Sequence, residues 1–159
     1  MRHYGEIYGL NHPYYYGCLG NAAVLYRATG DAVRAVEASE TAVEGLMGRL
    51  GKDHHYTLTV VVNLASDYAA LGDASRAVEI GAAALPRLRA VLGEDHPLTL
   101  GCAANLVPDL RVIGNQAEVD RLLADTIRRY QKTLGDDHAD TIAAAMSRRI
   151  DPDFDSPQI

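Results

Sequence analysis

Four kinds of position return in this chain at one fixed interval. Gly9, Gly51, Gly93 and Gly135 lie 42 residues apart, and His12, His54, His96 and His138 keep the same step. Asn21, Asn63 and Asn105 repeat it, as do Gly30, Gly72 and Gly114. Chance does not align four independent columns in one register. The chain is built from a 42-residue unit over about 9–50, 51–92 and 93–134, with a fourth unit begun at 135–149. One such unit cannot bury its apolar face alone, so successive units must stack into a continuous array.

Each unit parses as two helices. Helix A is expected over Tyr14–Ala28, Tyr56–Ala70 and Leu98–Val112, and helix B over Ala32–Arg49, Ala74–Val91 and Gln116–Thr133. Pro13 and Pro97 suit a first helical turn, where a missing N–H costs nothing. Asp53, Asp95 and Asp137 stand where they would cap that turn or complement its positive end. Gly30, Gly72 and Gly114 stop helix A as left-handed glycines do, and Asp31, Asp73 and Asn115 then cap helix B. Apolar residues follow helical spacing: Val33, Val36, Val43, Leu46 and Leu50 in the first unit, and Val78, Leu85, Leu88 and Leu92 in the second. Pro86 and Pro108 fall inside helices and are expected to bend them. Asp140–Arg149 reads as one more helix A without its helix B, which suits a cap, and Ser147 stands there in the asparagine column. The fold class is all-α.

Composition narrows the function. Apolar residues make up 48% and charged residues 23%, which is the globular range. A net charge of −6 without a Lys/Arg cluster argues against a nucleic-acid binder that neutralises phosphates. No stretch of eighteen apolar residues offers a membrane span, and Met1-Arg2-His3-Tyr4 lacks the apolar core of a signal peptide. With two cysteines, Cys18 and Cys102, a disulfide framework is not expected and a cytoplasmic location is the simplest. The histidine column does not imply a metal. Ligands on one zinc ion sit about 3–3.5 Å apart, whereas equivalent atoms of successive units are separated by two packed helices, on the order of 10–20 Å. No phosphate loop, nucleophile elbow or metalloprotease motif is present, so neither an enzyme nor a cofactor is expected.

Within the unit, small, aromatic and glycine positions form a ladder: Ala23, Tyr26, Gly30, Ala35 and Ala42, then Ala65, Tyr68, Gly72, Ala77 and Ala84, then more loosely Val107, Leu110, Gly114, Val119 and Thr126. This ladder resembles the tetratricopeptide repeat. The length of 42, with the linker Leu92-Gly93-Glu94-Asp95-His96-Pro97, resembles the kinesin-light-chain type. HEAT and armadillo repeats have similar lengths but lack the ladder. The segment Leu92–Ala145 and the acidic, proline-containing tail 151–159 are similar to the C-terminal repeats of actinobacterial NB-ARC/tetratricopeptide regulators.

The resemblance implies a right-handed superhelix whose helices A line a concave groove that holds a protein or peptide ligand. It places Asn21, Asn63 and Asn105 in that groove, where an amide can serve both the N–H and the C=O of an extended chain without requiring a particular side chain. Bracing between helices is the other role open to these residues. Gly17, Gly20, Thr59, Val62, Ser66 and Gly101 would form a floor of small side chains, and Arg27 and Arg111 could hold a ligand carboxylate. A structural role is the alternative. In it the chain is the assembly or sensor segment of a larger regulator, joined end to end or as a homo-oligomer through the truncated first repeat at Gly5–Gly9 and the cluster Tyr14-Tyr15-Tyr16.

Overall fold

The structure, a computed structural model, describes residue 9 and residues 11–152. The truncated repeat at Gly5–Gly9 therefore lies almost wholly outside the described residues. Among these residues there are seven helices and no strand: α1 Pro13–Ala28, α2 Ala32–Leu50, α3 His55–Leu71, α4 Ala74–Leu92, α5 Pro97–Val112, α6 Gln116–Leu134 and α7 Ala139–Ala145. The odd-numbered helices are helices A and the even-numbered ones helices B. Each helix packs on its neighbours in sequence. Helices A also approach one another across repeats, α1 on α3, α3 on α5 and α5 on α7, whereas among the described residues no two helices B come as close. The array therefore curves with helices A on its inner side.

Both turns of the unit follow from local chemistry. After helix A, Gly30, Gly72 and Gly114 take φ of +86°, +95° and +79°, a region open to glycine because it has no Cβ. Each closes a Schellman motif: Gly72 N–H donates to Ala69 O and Asp73 N–H to Tyr68 O, for example. Asp31, Asp73 and Asn115 then cap helix B, their side chains accepting from the backbone N–H of Arg34, Arg76 and Glu118.

The other turn corrects an expectation. The aspartates of the linker do not cap helix A. His12, His54, His96 and His138 do, each accepting at Nδ1 from the backbone N–H two residues on, at 3.1–3.2 Å. The imidazole must then carry its proton on Nε2. Asp53 and Asp95 instead pair with arginines of the next helix B. Asp53 accepts from Arg87 at 2.9 Å, and Asp95 accepts from Arg129 at 2.6 Å. In the first repeat the position of Arg87 and Arg129 is Gly45 (87 − 42 = 45). The Tyr16 ring lies across it, so closely that a Cβ there would stand 2.2 Å from the ring. Tyr16 thus packs within its own repeat. The unit has exchanged a Leu/Arg pair for Tyr/Gly at one joint.

The main core gathers Leu58, Val62, Leu85, Leu88, Leu106, Val107 and Leu122 from α3 to α6. A second cluster at the C-terminal end joins Leu100, Ala104, Tyr130 and Ala144, with Ile150 packed on it. Helices α4 and α5 run through Pro86 and Pro108 without a break. Cys18 and Cys102 are free, and burial pushes the Cys102 thiol up to about 12.

Because histidine is an uncommon capping residue, its contribution is a direct test. His96→Ala should lower the unfolding free energy by about 1 kcal/mol, the usual worth of a cap, and His96→Asn should restore most of it. Urea denaturation measures both. Equal loss in the two variants would contradict the capping role.

Candidate peptide groove

The fourth helix A was expected to reach Arg149, yet α7 ends at Ala145. Ser147 takes φ +52°, the only non-glycine with positive φ among the described residues. Its N–H donates to Ala144 O and that of Arg148 to Ala143 O, the same Schellman closure that ends the full repeats. The earlier repeats place this residue at Gly114, whose counterpart is position 156 (114 + 42), so the turn comes nine residues early (156 − 147). Ser147 also stands in the asparagine column (105 + 42 = 147). The column that runs along the groove thus ends in the residue that turns the chain back into it. Arg111 holds the turn by donating from Nη1 to Ser147 Oγ at 2.6 Å.

Residues 148–152 then run over the concave face toward the earlier repeats. Asn105 meets Ile150 at two points. Its Nδ2 donates to Ile150 O at 2.8 Å, and its Oδ1 accepts from Ile150 N–H at 2.8 Å. Two residues further, Asn63 Nδ2 donates to Pro152 O at 2.8 Å. Alternate residues of an extended chain present their backbone to one side, so successive asparagines take successive alternate residues. Asn21, half-buried on α1, continues the column.

Charge follows the same path. Asp67 and Asp109 occupy one column (109 − 67 = 42) and are 0% and 3% exposed. Arg149 of the returning segment pairs with Asp109 and also donates to Ser66 Oγ at 3.3 Å. Arg27 pairs with Asp67, which also accepts from Ser39 Oγ at 2.5 Å. Arg27 reaches Asp151 of the returning segment as well, at 2.7 Å. Burial pushes the Asp109 carboxyl above its ordinary 3.8, and Arg149 opposes part of that rise. Asp67 is raised likewise by burial, against the lowering by its hydrogen bond from Ser39 and by Arg27.

The expected floor residues divide. Gly101 lies under the returning segment, where a Cβ would meet Ile150 Cγ2 at 3.8 Å and the Tyr130 hydroxyl at 3.7 Å. Thr59 lines a cavity of about 600 Å³ beside that segment, with Tyr56, His96 and Gly101. Ser66 bonds Arg149 as described, Arg27 contacts the segment, and Arg111 contacts the turn that delivers it. Gly20 and Val62 do not belong to the floor. A Cβ on Gly20 would stand 2.8 Å from Val60, so this glycine lets α1 approach α3. Val62 points into the main core beside Ala84 and Leu106. Gly17 is buried in α1.

Sequence reasoning passed over Asp67, Asp109 and Arg149. The signal was available: two carboxylates one repeat apart, each the one acidic residue of its helix. Among the described residues no group of three His, Cys, Asp or Glu could hold a metal ion, and no helix is long and apolar enough to cross a membrane.

Family models described as tetratricopeptide repeat match residues 15–90 and 99–140. The chain belongs to the tetratricopeptide repeat family. Among solved structures it is similar to a kinesin light chain from Podosopora anserina with nearly identical TPR-like repeats, at 26% identity and a TM-score of 0.77. That match covers 84% of this chain and 63% of the other, and a single-substitution form of the same protein gives the same figures. BtubC (BKLC) from P. vanneervenii shares the fold at 18% identity and a TM-score of 0.71, over 82% of this chain and 53% of that one. The chain thus spans less than two thirds of the length of these structures. No curated protein matches it by sequence.

The raised Asp109 carboxyl has a measurable consequence. Above 3.8 the native state keeps a proton that the unfolded chain has released, so this group's contribution to stability falls as pH rises toward the raised value. Asp109→Asn stays neutral and should gain stability relative to the parent chain through that window, with a constant difference below it. Thermal melts from about pH 3 to about pH 8 check this. A difference that shrinks as pH rises would contradict it.

Proposed function

We propose that the concave groove binds an extended polypeptide by its main chain, with Asn21, Asn63 and Asn105 as successive rungs and Arg27, Asp109 and Arg111 as charged and polar side-chain contacts. Tetratricopeptide repeats generally serve as protein-interaction scaffolds, and this reading names the surface used. The observation that carries it is the two-point pairing of Asn105 with Ile150. One side-chain amide satisfies both backbone groups of one residue of an extended segment, and nothing in that pairing depends on the side chain of Ile150. A segment of another protein offers the same backbone groups.

The flanking contacts supply what main-chain pairing lacks. Arg149 on Asp109 and Asp151 on Arg27 are charge-assisted and partly shielded from water, which fixes direction and register. Ile150 adds apolar burial against Leu100, Ala104 and Tyr130. An arginine, an apolar residue and an aspartate in succession therefore describe what the groove accepts. Chemistry on the ligand has no part in this reading: the polar groups lie in ion pairs and backbone pairings, with no activated nucleophile among them.

The test must separate the groove from the chain's own tail, because replacing the asparagines weakens both occupants. In an Arg149→Ala/Asp151→Ala background the returning segment loses its ion pairs and the groove opens. Peptides selected on that background from a displayed library should lose affinity about 30-fold or more when Asn63→Ala and Asn105→Ala are added, the worth of two or more hydrogen bonds. Fluorescence anisotropy gives the dissociation constants, and circular dichroism verifies that the helices persist. Unchanged affinity would contradict the reading.

A further inference from the structure

Asn63 and Asn105 hold equivalent places in the repeat but are unequally satisfied. Asn105 uses both ends of its amide on Ile150. Asn63 uses one. Its Nδ2 donates to Pro152 O, while its Oδ1 is buried and has no hydrogen-bond partner among the described residues. Asn63 itself is 1% exposed. The pattern at Asn105 pairs this oxygen with the backbone nitrogen of residue 152, and proline carries no hydrogen there. A buried acceptor without a donor is costly. The returning segment therefore fits the first rung fully and the second by half.

We propose that this segment is a displaceable occupant of the groove, held one hydrogen bond short of what the groove offers. It gives way to an extended peptide that carries arginine, an apolar residue and aspartate, followed by a residue with a backbone N–H. This rests on the groove being a peptide site, as argued above. The chemistry is set by what the groove already contacts. Asp109 takes the arginine, the surface of Leu100, Ala104 and Tyr130 takes the apolar side chain, Arg27 takes the aspartate, and Asn63 takes both backbone groups of the fourth residue. A competing ligand that supplies the missing N–H gains a contact that the chain's own segment cannot make. The segment thus keeps the ion pairs of the groove satisfied in the absence of ligand without blocking it permanently. Ser147 supports the same view, since its left-handed backbone favours glycine and the turn that delivers the segment is held under strain.

Labelled peptides on the full chain provide the test. The first has the sequence Arg-Arg-Ile-Asp-Pro-Asp of the tail itself, the second has alanine in place of proline, and the third has N-methylalanine there. On the unaltered chain the alanine peptide should bind about fivefold more tightly than the proline peptide, the worth of one hydrogen bond. The N-methylalanine peptide, which lacks the N–H without the ring, should bind as weakly as the proline peptide. The alanine advantage should vanish on Asn63→Ala. Pro152→Ala in the chain itself should tighten the tail and weaken all three peptides. Equal or tighter binding of the proline peptide overturns the proposal, as does an alanine advantage that survives Asn63→Ala. Unchanged peptide affinities in Pro152→Ala overturn the competition by the tail. Failure of every peptide to bind even Arg149→Ala contradicts instead the reading of the groove as a peptide site.

Discussion

Every repeat enters helix A through the same joint: a left-handed glycine, then a histidine whose Nδ1 takes the second backbone N–H of the helix. That joint fixes where each helix A starts and hence which of its faces is turned inward. The asparagine column is a column in space only because the joint does not vary. The Asp53–Arg87 and Asp95–Arg129 pairs fasten the following helix B to the same linker. They lie at the surface and contribute little individually.

The groove that results is polar in a way a packed helix face rarely is. Asn63, Asn105, Asp67 and Asp109 are all nearly inaccessible, and buried charge is costly unless paired. Two arginines do the pairing from opposite directions: Arg27 comes from the first repeat, and Arg149 comes from the segment that folds back after α7. The floor is therefore incomplete without an occupant. Asp109 would lose the Arg149 guanidinium, and Asn105 would lose its pairing with both backbone groups of Ile150. The chain meets this demand with its own residues 148–152, and the one place where it does so imperfectly is Pro152.

Much of the architecture was legible from spacing alone. The columns placed the six long helices within a residue or two, and glycine after helix A needed no structure to interpret. Three features escaped, each for a physical reason. The histidine caps were hidden because sequence rules favour Asp, Ser, Thr and Asn at such positions, and an aspartate stands directly before each of three of the histidines. Asp67 and Asp109 were passed over. Their apolar neighbours in α3 and α5 argued for burial, but only partners distant in sequence, Arg27 and Arg149, make such burial tolerable. The return of the tail was hidden most deeply. It depends on a serine adopting a backbone conformation that favours glycine, which composition does not announce. Gly20 and Val62 show the opposite limit: small or apolar residues near the asparagine column are as easily packing contacts as groove floor.

The central claim is that the asparagine ladder grips an extended main chain, and Ile150 reports on it directly because its N–H donates to Asn105 Oδ1. Amide hydrogen exchange of Ile150, followed by NMR in the unaltered chain and in Asn105→Ala, is the measurement to make. The account predicts clear protection of this amide in the unaltered chain, and its loss in Asn105→Ala while the amides of α3 and α5 exchange as before. An Ile150 amide that exchanges at the rate of an open chain with Asn105 in place would contradict it.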